Sequence, residues 1–169
     1  MKLRKVLFLI APFLLLSGAL WFAAQKRLDT ALIFFARQPK PGEIASLLNR
    51  GANARATDRL KNTPLHKAAL AGSEDNSATI KMLVRYGADV NAPNEGGDRP
   101  LHYAIMIQNP SSVRALLQCG AKTNVKSKRF GTPLRQATIA LKQELHSRRG
   151  WEAPLVEIVR LLRAAGARK

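Results

Sequence analysis

The chain has 169 residues, enough for one ordinary domain, and 46% of them are apolar, which permits a packed core and excludes global disorder. Its formal net charge is +17, from 28 Lys and Arg against 11 Asp and Glu, so it favours anionic neighbours such as acidic proteins, anionic lipid or nucleic acid. The single cysteine, Cys119, excludes an intrachain disulfide, and packing is its expected role.

The first element along the chain is an uncharged, mostly apolar run at residues 6–24, with three basic residues before it and two directly after it. As an α-helix, a run of this length extends about 28 Å, close to the thickness of one hydrocarbon core. We therefore predict a signal-anchor or a signal peptide at residues 1–25. Small residues at Ser17–Ala19 allow cleavage, whereas Leu20–Phe22 continue the apolar run past that point and favour an uncleaved anchor.

The basic residues on the two sides of this run also bear on its orientation. The positive-inside tendency slightly favours a cytoplasmic N-terminus, because the three basic residues and the α-amino group precede the run. We therefore expect a single-pass protein of the inner (plasma) membrane with its remaining residues on the periplasmic or extracytoplasmic side. If the segment is cleaved, the expectation becomes secretion to the periplasm.

The rest of the chain contains an internal repeat. A glycine-led segment at residues 51–56 returns at 87–92 and at 120–125, and a fourth Gly-Ala pair stands at 166–167. Twelve residues after each of the first three glycines comes a second signature. These signatures are Thr63-Pro64-Leu65-His66, Arg99-Pro100-Leu101-His102 and Thr132-Pro133-Leu134-Arg135.

These residues resemble the ankyrin repeat, a unit of about 33 residues made of a β-turn finger and two antiparallel helices. The resemblance covers roughly residues 30–167. It implies an all-α solenoid of about four helix-pair repeats within a domain at residues 26–169, preceded by the N-terminal hydrophobic helix. The repeats are expected at residues 30–62, 63–98, 99–131 and 132–169. The first repeat lacks the Thr-Pro-Leu-His signature and is expected to act as an N-terminal cap.

Helix chemistry agrees with this resemblance. Thr63 and Thr132 are suited to cap a helix, each with proline at the first helical position, and each glycine follows an apolar helical stretch as a left-handed C-terminal residue would. Asn109 and Ala153, each before a proline, indicate the starts of second helices. Apolar residues three and four apart predict one buried stripe per second helix, at Ile44-Leu47-Leu48, Ile80-Leu83-Val84, Val113-Leu116-Leu117 and Val159-Leu162.

The repeats differ in length only within their helix pairs. Relative to the third repeat, three extra residues are expected near residues 73–76 and thirteen around residues 141–153. The longer insertion contains His146, which we expect in a solvated loop.

The histidines and the glycines give no sign of an active site. His66 and His102 occupy the signature position, where the resemblance implies a structural hydrogen bond to the adjacent turn. No residues have metal-ligand spacing, and no phosphate-binding loop, dinucleotide glycine pattern or nucleophile motif is present. We therefore expect no metal, no cofactor and no catalysis.

The three fingers lie between each glycine and the signature that follows it, at residues 51–62, 87–98 and 120–131. The third finger carries Lys122, Lys126, Lys128 and Arg129, and no acidic residue lies between Asp98 and Glu144. The resemblance implies binding of another protein through the fingers and the concave face, and the charge suggests an acidic partner. The alternative is that the basic body binds peripherally to anionic lipid headgroups. Nucleic acid is not expected, because few aromatics accompany the basic run. Candidate partner-binding residues are Arg59, Lys67, Asn94, Glu95, Tyr103, Lys122, Lys126, Lys128, Arg129 and Phe130.

Overall fold

A computed structural model describes residues 3–38, 40–72, 75–147 and 152–168, with the side chains of residues 3–17, 19 and 147 outside the description. Within these ranges the chain forms eight α-helices and no strand, with one isolated bridge between Ser127 and Gly131. The helices are α1 (Leu3–Phe35), α2 (Pro41–Asn49), α3 (Pro64–Ala69), α4 (Ser77–Arg85), α5 (Pro100–Met106), α6 (Pro110–Gln118), α7 (Pro133–Ser147) and α8 (Glu152–Ala164).

The helices pack in two layers of one stack. The odd-numbered helices follow one another in the first layer, with α3 between α1 and α5 and with α5 against α7. The even-numbered helices form the second layer, in which α4 contacts α2 and α6, and α6 contacts α8. The core lies between the layers and is built from the predicted stripes, with Ile44, Ile80, Leu83 and Leu116 fully buried. In α8 the fully buried residues are Leu155, Ile158 and Leu162, and the predicted Val159 is half-buried.

The ends of the helices follow the predicted capping chemistry. The hydroxyl oxygens of Thr63 and Thr132 accept hydrogen bonds from backbone N–H groups three residues later. The Asn109 side chain caps α6 by accepting from the N–H of Ser112 at 3.0 Å. Second helices end before the four predicted glycines, which have φ between 80° and 92° and so need the left-handed conformation.

Side-chain hydrogen bonds tie these four glycines into a row, which we call the glycine row (Gly51, Gly87, Gly120 and Gly166). The Arg55 Nε donates to the carbonyl of Gly87 at 2.6 Å, and the amides of Asn91 and Asn124 donate to the carbonyls of Gly120 and Gly166, both at 3.2 Å. The two asparagines also accept, through Oδ1, the backbone N–H groups of Lys122 and Arg168. Each bond joins one repeat to the next, so the glycine row marks one edge of the stack.

Helix α1 closes the glycine row at its first repeat. The amide of Gln25 donates to the carbonyl of Gly51 at 2.7 Å, and Oδ1 of Asp29 accepts the backbone N–H of Asn53 at 2.7 Å. Two side chains of a helix thus make the bonds that one asparagine makes in later repeats. The predicted boundary between residues 25 and 26 falls inside this helix, which continues to Phe35. Gln25 before the boundary and Asp29 after it are both bound to the first repeat.

The predicted membrane segment at residues 6–24 lies mostly among the residues whose side chains are outside the description. Among the residues that were described, none of the helices combines the length and the apolarity needed to cross a membrane. Its last residues are described: Leu20, Trp21 and Phe22 belong to α1 and are 71%, 68% and 64% exposed.

The expected loop around His146 is wrong. The first helix of the fourth repeat, α7, continues to Ser147 and has 15 residues, compared with seven in α5. His146 therefore lies in the last turn of a helix, although it is exposed as expected, and its Nδ1 lies 2.7 Å from the carbonyl oxygen of Lys142. Most of the described insertion lengthens a helix, since residues 141–147 contain no helix breaker. Residues 73, 74 and 148–151 of the two insertions lie outside the described part.

Candidate partner-binding surface

The signature histidines connect one finger to the next. The Nδ1 of His66 accepts the backbone N–H of Thr63 at 3.1 Å, which leaves the proton on Nε2 to be donated to the carbonyl of Asp98 at 3.0 Å. His102 repeats this arrangement between Arg99 and Gly131. Both side chains are fully buried. Their role is structural, as the resemblance implies.

Burial controls the protonation of these two imidazoles. Desolvation lowers the pKa of His66 from 6.5 to about 4, against the hydrogen bond to the Asp98 carbonyl, which favours the charged form. Desolvation likewise lowers the pKa of His102. Both rings are therefore neutral at physiological pH.

Backbone hydrogen bonds also align the fingers. The N–H of Glu95 in the second finger donates to the carbonyl of Leu60 in the first at 3.1 Å. The N–H of Lys128 in the third donates to the carbonyl of Gly96 in the second at 3.2 Å. Because every finger is held by its neighbour, the exposed side chains at their tips form one surface.

Three of the candidate residues take part in an internal polar network. The Lys67 ammonium lies 2.7 Å from a carboxylate oxygen of Asp58. The side-chain amide of Asn94 donates to Oδ1 of Asn62 and to the hydroxyl of Tyr103, both at 2.9 Å. That hydroxyl also donates to Oδ1 of Asn62, at 3.1 Å. Sequence patterns did not single out Asn62 or Asp58. The network occupies polar groups of Lys67, Asn94 and Tyr103 and orients these half-buried side chains.

The network also acts on ionisation. Burial of Asp58 opposes the charged form, but the hydrogen bonds from Lys67 and Asn62 outweigh it and lower the pKa of the carboxyl to about 2. Burial raises the pKa of Tyr103. The Asp58 carboxyl is thus ionised at neutral pH, and the Tyr103 hydroxyl keeps its proton.

The third finger has its own turn geometry. The first two fingers place a left-handed residue at Lys61 and Gly97, whereas the third places it one residue later, at Gly131. The Ser127 hydroxyl accepts the backbone N–H groups of Arg129 and Phe130 and so fixes this turn.

The shifted turn orients an aromatic ring beside a cation. The Phe130 ring is half-buried against the imidazole of His102, with ring centroids 6.3 Å apart, and the Arg129 guanidinium lies 4.8 Å from the Phe130 centroid.

The basic side chains of this finger are exposed. Lys126, Lys128 and Arg129 are exposed, and none of the ion pairs found among the described residues includes them. Arg135, which replaces the signature histidine, lies against the same finger, with its side chain beside Gly131. Arg135 belongs to the acid-free stretch of the sequence but was not among the candidate partner-binding residues. Lys122 lies apart from this group, since its backbone is bound to Asn91 at the glycine row.

Lys61 offers a test of finger geometry. Its φ is 59°, a left-handed conformation that costs a non-glycine residue about 1–2 kcal/mol. We expect Lys61→Gly to raise the free energy of unfolding by about 0.5–1 kcal/mol, because glycine loses more backbone entropy on folding and offsets part of the relief. Urea unfolding followed by circular dichroism measures the change. Gly97→Ala, at the matching position of the second finger, should be destabilising, and stabilisation there would contradict this explanation.

Among the described residues, no group of three or more His, Cys, Asp or Glu is arranged so that it could hold a metal ion. His66 and His102 instead bond successive fingers.

Comparison with known proteins agrees with this geometry. The family description "Ankyrin repeats (3 copies)" matches residues 32–127, more than half of the chain. The chain belongs to the ankyrin-repeat family. Ankyrin repeats are generally non-catalytic modules through which proteins bind other proteins.

Similar ankyrin-repeat segments occur in much larger proteins. The chain is 37% identical over 98 residues to the intracellular phospholipase A2 of Caenorhabditis elegans, covering 55% of this chain and 9% of that protein. It is 32% identical over 102 residues to the ankyrin repeat protein FPV222 of fowlpox virus, covering 60% and 14%. It is 26% identical over 156 residues to human neurogenic locus notch homolog protein 1, covering 74% and 6%. The chain thus spans a small part of each relative, and the enzymatic name of the first refers to that whole protein.

Proposed function

We propose that this ankyrin-repeat chain is a protein-binding module whose third finger engages an acidic partner. The observation that carries this proposal is the group of Lys126, Lys128 and Arg129, which are exposed, free of the described ion pairs and without a carboxylate nearby in sequence. Positive side chains arranged on one face steer an acidic partner and set its register.

The neighbouring side chains make this finger suitable for carboxylates. Arg129, held beside Phe130, presents a planar fork of N–H donors that matches a carboxylate, and Lys126 and Lys128 add point charges. Phe130 supplies apolar contact area, since it is only half-buried. In the second finger Glu95 is exposed and acidic, so that finger would repel the same partner and restrict it to one end of the row.

The proposal includes a membrane role for the N-terminal segment, as an anchor or as an export signal. Support comes from the uncharged run at residues 6–24 with basic residues on both sides, and from the exposed Trp21 and Phe22 at its end. A topology reporter fused after the last residue, read together with the mass of the mature N-terminus, tests this part. A reporter on the cytoplasmic side would contradict the expected orientation.

Charge reversal tests the third finger. The variant Lys126→Glu, Lys128→Glu, Arg129→Glu should lower the recovery of acidic partners from a membrane extract by about tenfold or more, because a steering patch becomes a repulsive one. Quantitative mass spectrometry after affinity capture measures the loss.

The matched control is Arg37→Glu, Lys142→Glu, Arg160→Glu, which reverses three exposed charges away from the fingers. It should recover the same proteins as the wild-type chain. If finger reversal removes no protein, or if both variants lose the same proteins, the third finger is not the binding site.

A further inference from the structure

The edge of the stack at the glycine row is rich in exposed basic side chains. The exposed basic residues beside it are Lys26, Arg50, Arg55, Arg85, Lys122 and Arg168. Each is close to one of the row's own contacts: Lys26 follows Gln25, Arg50 precedes Gly51, and Arg85 lies two residues before Gly87. Among the described carboxylates of this edge, Asp89 is exposed, whereas Asp29 is half-buried and accepts the backbone N–H of Asn53. The edge therefore carries a strong positive charge from the first repeat to the last.

The opposite end of the helices has a different balance. There the described helix–helix connections and the adjoining helix ends carry both signs, with the acidic Glu43, Asp75, Glu144 and Glu152 and the basic Arg37, Lys40 and Lys142. In sequence, the undescribed parts of these connections add Glu74, Arg148 and Arg149. The Lys40 ammonium is already paired with Glu43 at 3.3 Å. The repeat stack is thus more positive at the glycine row than at the opposite end of its helices. Such a molecule would turn this edge towards an anionic surface.

Helix α1 leaves the stack at this same edge. Gln25 and Asp29 are bound to Gly51 and Asn53, so the residues before Gln25 continue past the glycine row. At a rise of about 1.5 Å per residue, the Cα of Trp21 lies about 6 Å beyond that of Gln25 along the helix axis. Trp21, like Leu20 and Phe22 beside it, is largely exposed. A row of cations therefore adjoins a projecting apolar helix.

We infer that the glycine-row edge lies on an anionic lipid surface, with Leu20, Trp21 and Phe22 at the depth of the headgroups and the first carbons of the acyl chains. Lipid is the occupant that matches both features, because basic residues bind anionic headgroups and exposed Trp and Phe prefer the membrane–water interface. The inference rests on the proposed membrane role of the N-terminal segment. It is independent of the third finger and leaves the fingertips available to a protein.

Vesicle binding of the full chain tests the edge. The edge variant is Arg50→Gln, Arg85→Gln, Lys122→Gln, Arg168→Gln, which leaves the structural bond of Arg55 intact. The matched control neutralises four charges elsewhere, as Lys126→Gln, Lys128→Gln, Arg129→Gln, Lys142→Gln. Flotation is measured with vesicles of phosphatidylcholine and phosphatidylglycerol in equal amounts and with phosphatidylcholine alone. Hydrogen exchange of the vesicle-bound chain shows which amides become protected.

The expected result is a loss of partitioning to anionic vesicles of about a hundredfold or more for the edge variant and a much smaller loss for the control. Added salt should weaken binding of the wild-type chain, and exchange should slow at residues 50–56, 85–92 and 119–125. Equal losses in both variants, or protection at the third finger in place of the edge, would overturn the inference.

The two proposals fail differently. Binding to vesicles of pure phosphatidylcholine depends on the N-terminal segment, because these vesicles carry no net charge. If the chain does not bind them, the proposed membrane role is contradicted, but the edge variant and its control can still be compared on anionic vesicles. If the chain binds both kinds of vesicle and the edge variant behaves like the wild-type chain, the membrane role stands and the edge inference is wrong. Protection of this edge by an acidic protein or by nucleic acid, without protection by vesicles, would also refute it.

Discussion

Replacing His66 by alanine is expected to lower the free energy of unfolding by about 3–5 kcal/mol, because a buried ring is lost together with two hydrogen bonds. The substitution removes the acceptor for the Thr63 N–H and the donor to the Asp98 carbonyl. Both partners are themselves buried and would lose their contacts. Since the Asp98 carbonyl belongs to the second finger, the substitution should also weaken the contact between the first and second fingers. Urea unfolding, followed by circular dichroism, measures the effect.

Two further variants separate packing from hydrogen bonding. His66→Phe keeps an aromatic ring but makes neither bond, and it should cost about 1–3 kcal/mol for each buried group left unsatisfied. Arg135→Ala changes the same signature position in the third signature, where the side chain is exposed, and should change stability by about 0.5 kcal/mol or less. Equal effects of His66→Ala and Arg135→Ala would contradict the structural role of the histidine.

Acidification should destabilise the fold through the same side chain. The folded-state pKa of His66 is lowered from 6.5 to about 4 by desolvation, so between these values the unfolded chain binds a proton that the folded chain does not. The contribution of His66 to the free energy of unfolding, about 3 kcal/mol, is fully present above the unfolded pKa of 6.5. It is lost as the pH falls towards about 4. Asp58 and Asp98 oppose the shift through their charge, and Lys67 adds to it. His102 acts in the same direction.

Urea midpoints measured from neutral pH down to a pH of about 4 give the size of this loss. Other groups also titrate on acidification, so the informative quantity is the difference between the wild-type chain and His66→Phe, which has no imidazole at this position. The variant should lose stability less steeply over the same range. Parallel curves for the two proteins would show that His66 is not the group responsible.

Local sequence signals predicted the repeat well because each depends on few neighbouring residues. The glycines after second helices need a left-handed backbone, and the threonines before proline cap first helices, so both positions can be read directly. The constant spacing from glycine to signature reflects fingers that must stack on one another. The basic residues Lys126, Lys128 and Arg129 could also be identified from the sequence, because they lie in a long stretch without acidic residues.

Features that depend on distant partners were not predictable in this way. The network of Asp58, Asn62, Asn94 and Tyr103 joins residues up to 41 positions apart, and nothing local distinguishes Asn62 from any turn asparagine. The continuation of α7 to Ser147 was missed because an insertion relative to another repeat was equated with a loop. The basic glycine-row edge collects residues from every repeat, and only the stacking brings them together.

The continuity of α1 across the glycine row has a geometric consequence for the module. A helix advances by about 100° per residue, so the direction of Trp21 around its axis is fixed relative to Gln25 and hence to the first finger. One residue added or removed between them would rotate the Trp21 side chain by about 100° around the helix axis relative to the first finger. The number of residues between Trp21 and Gln25 therefore sets the direction in which Trp21 points relative to the repeats, whereas a substitution within this stretch leaves that direction unchanged.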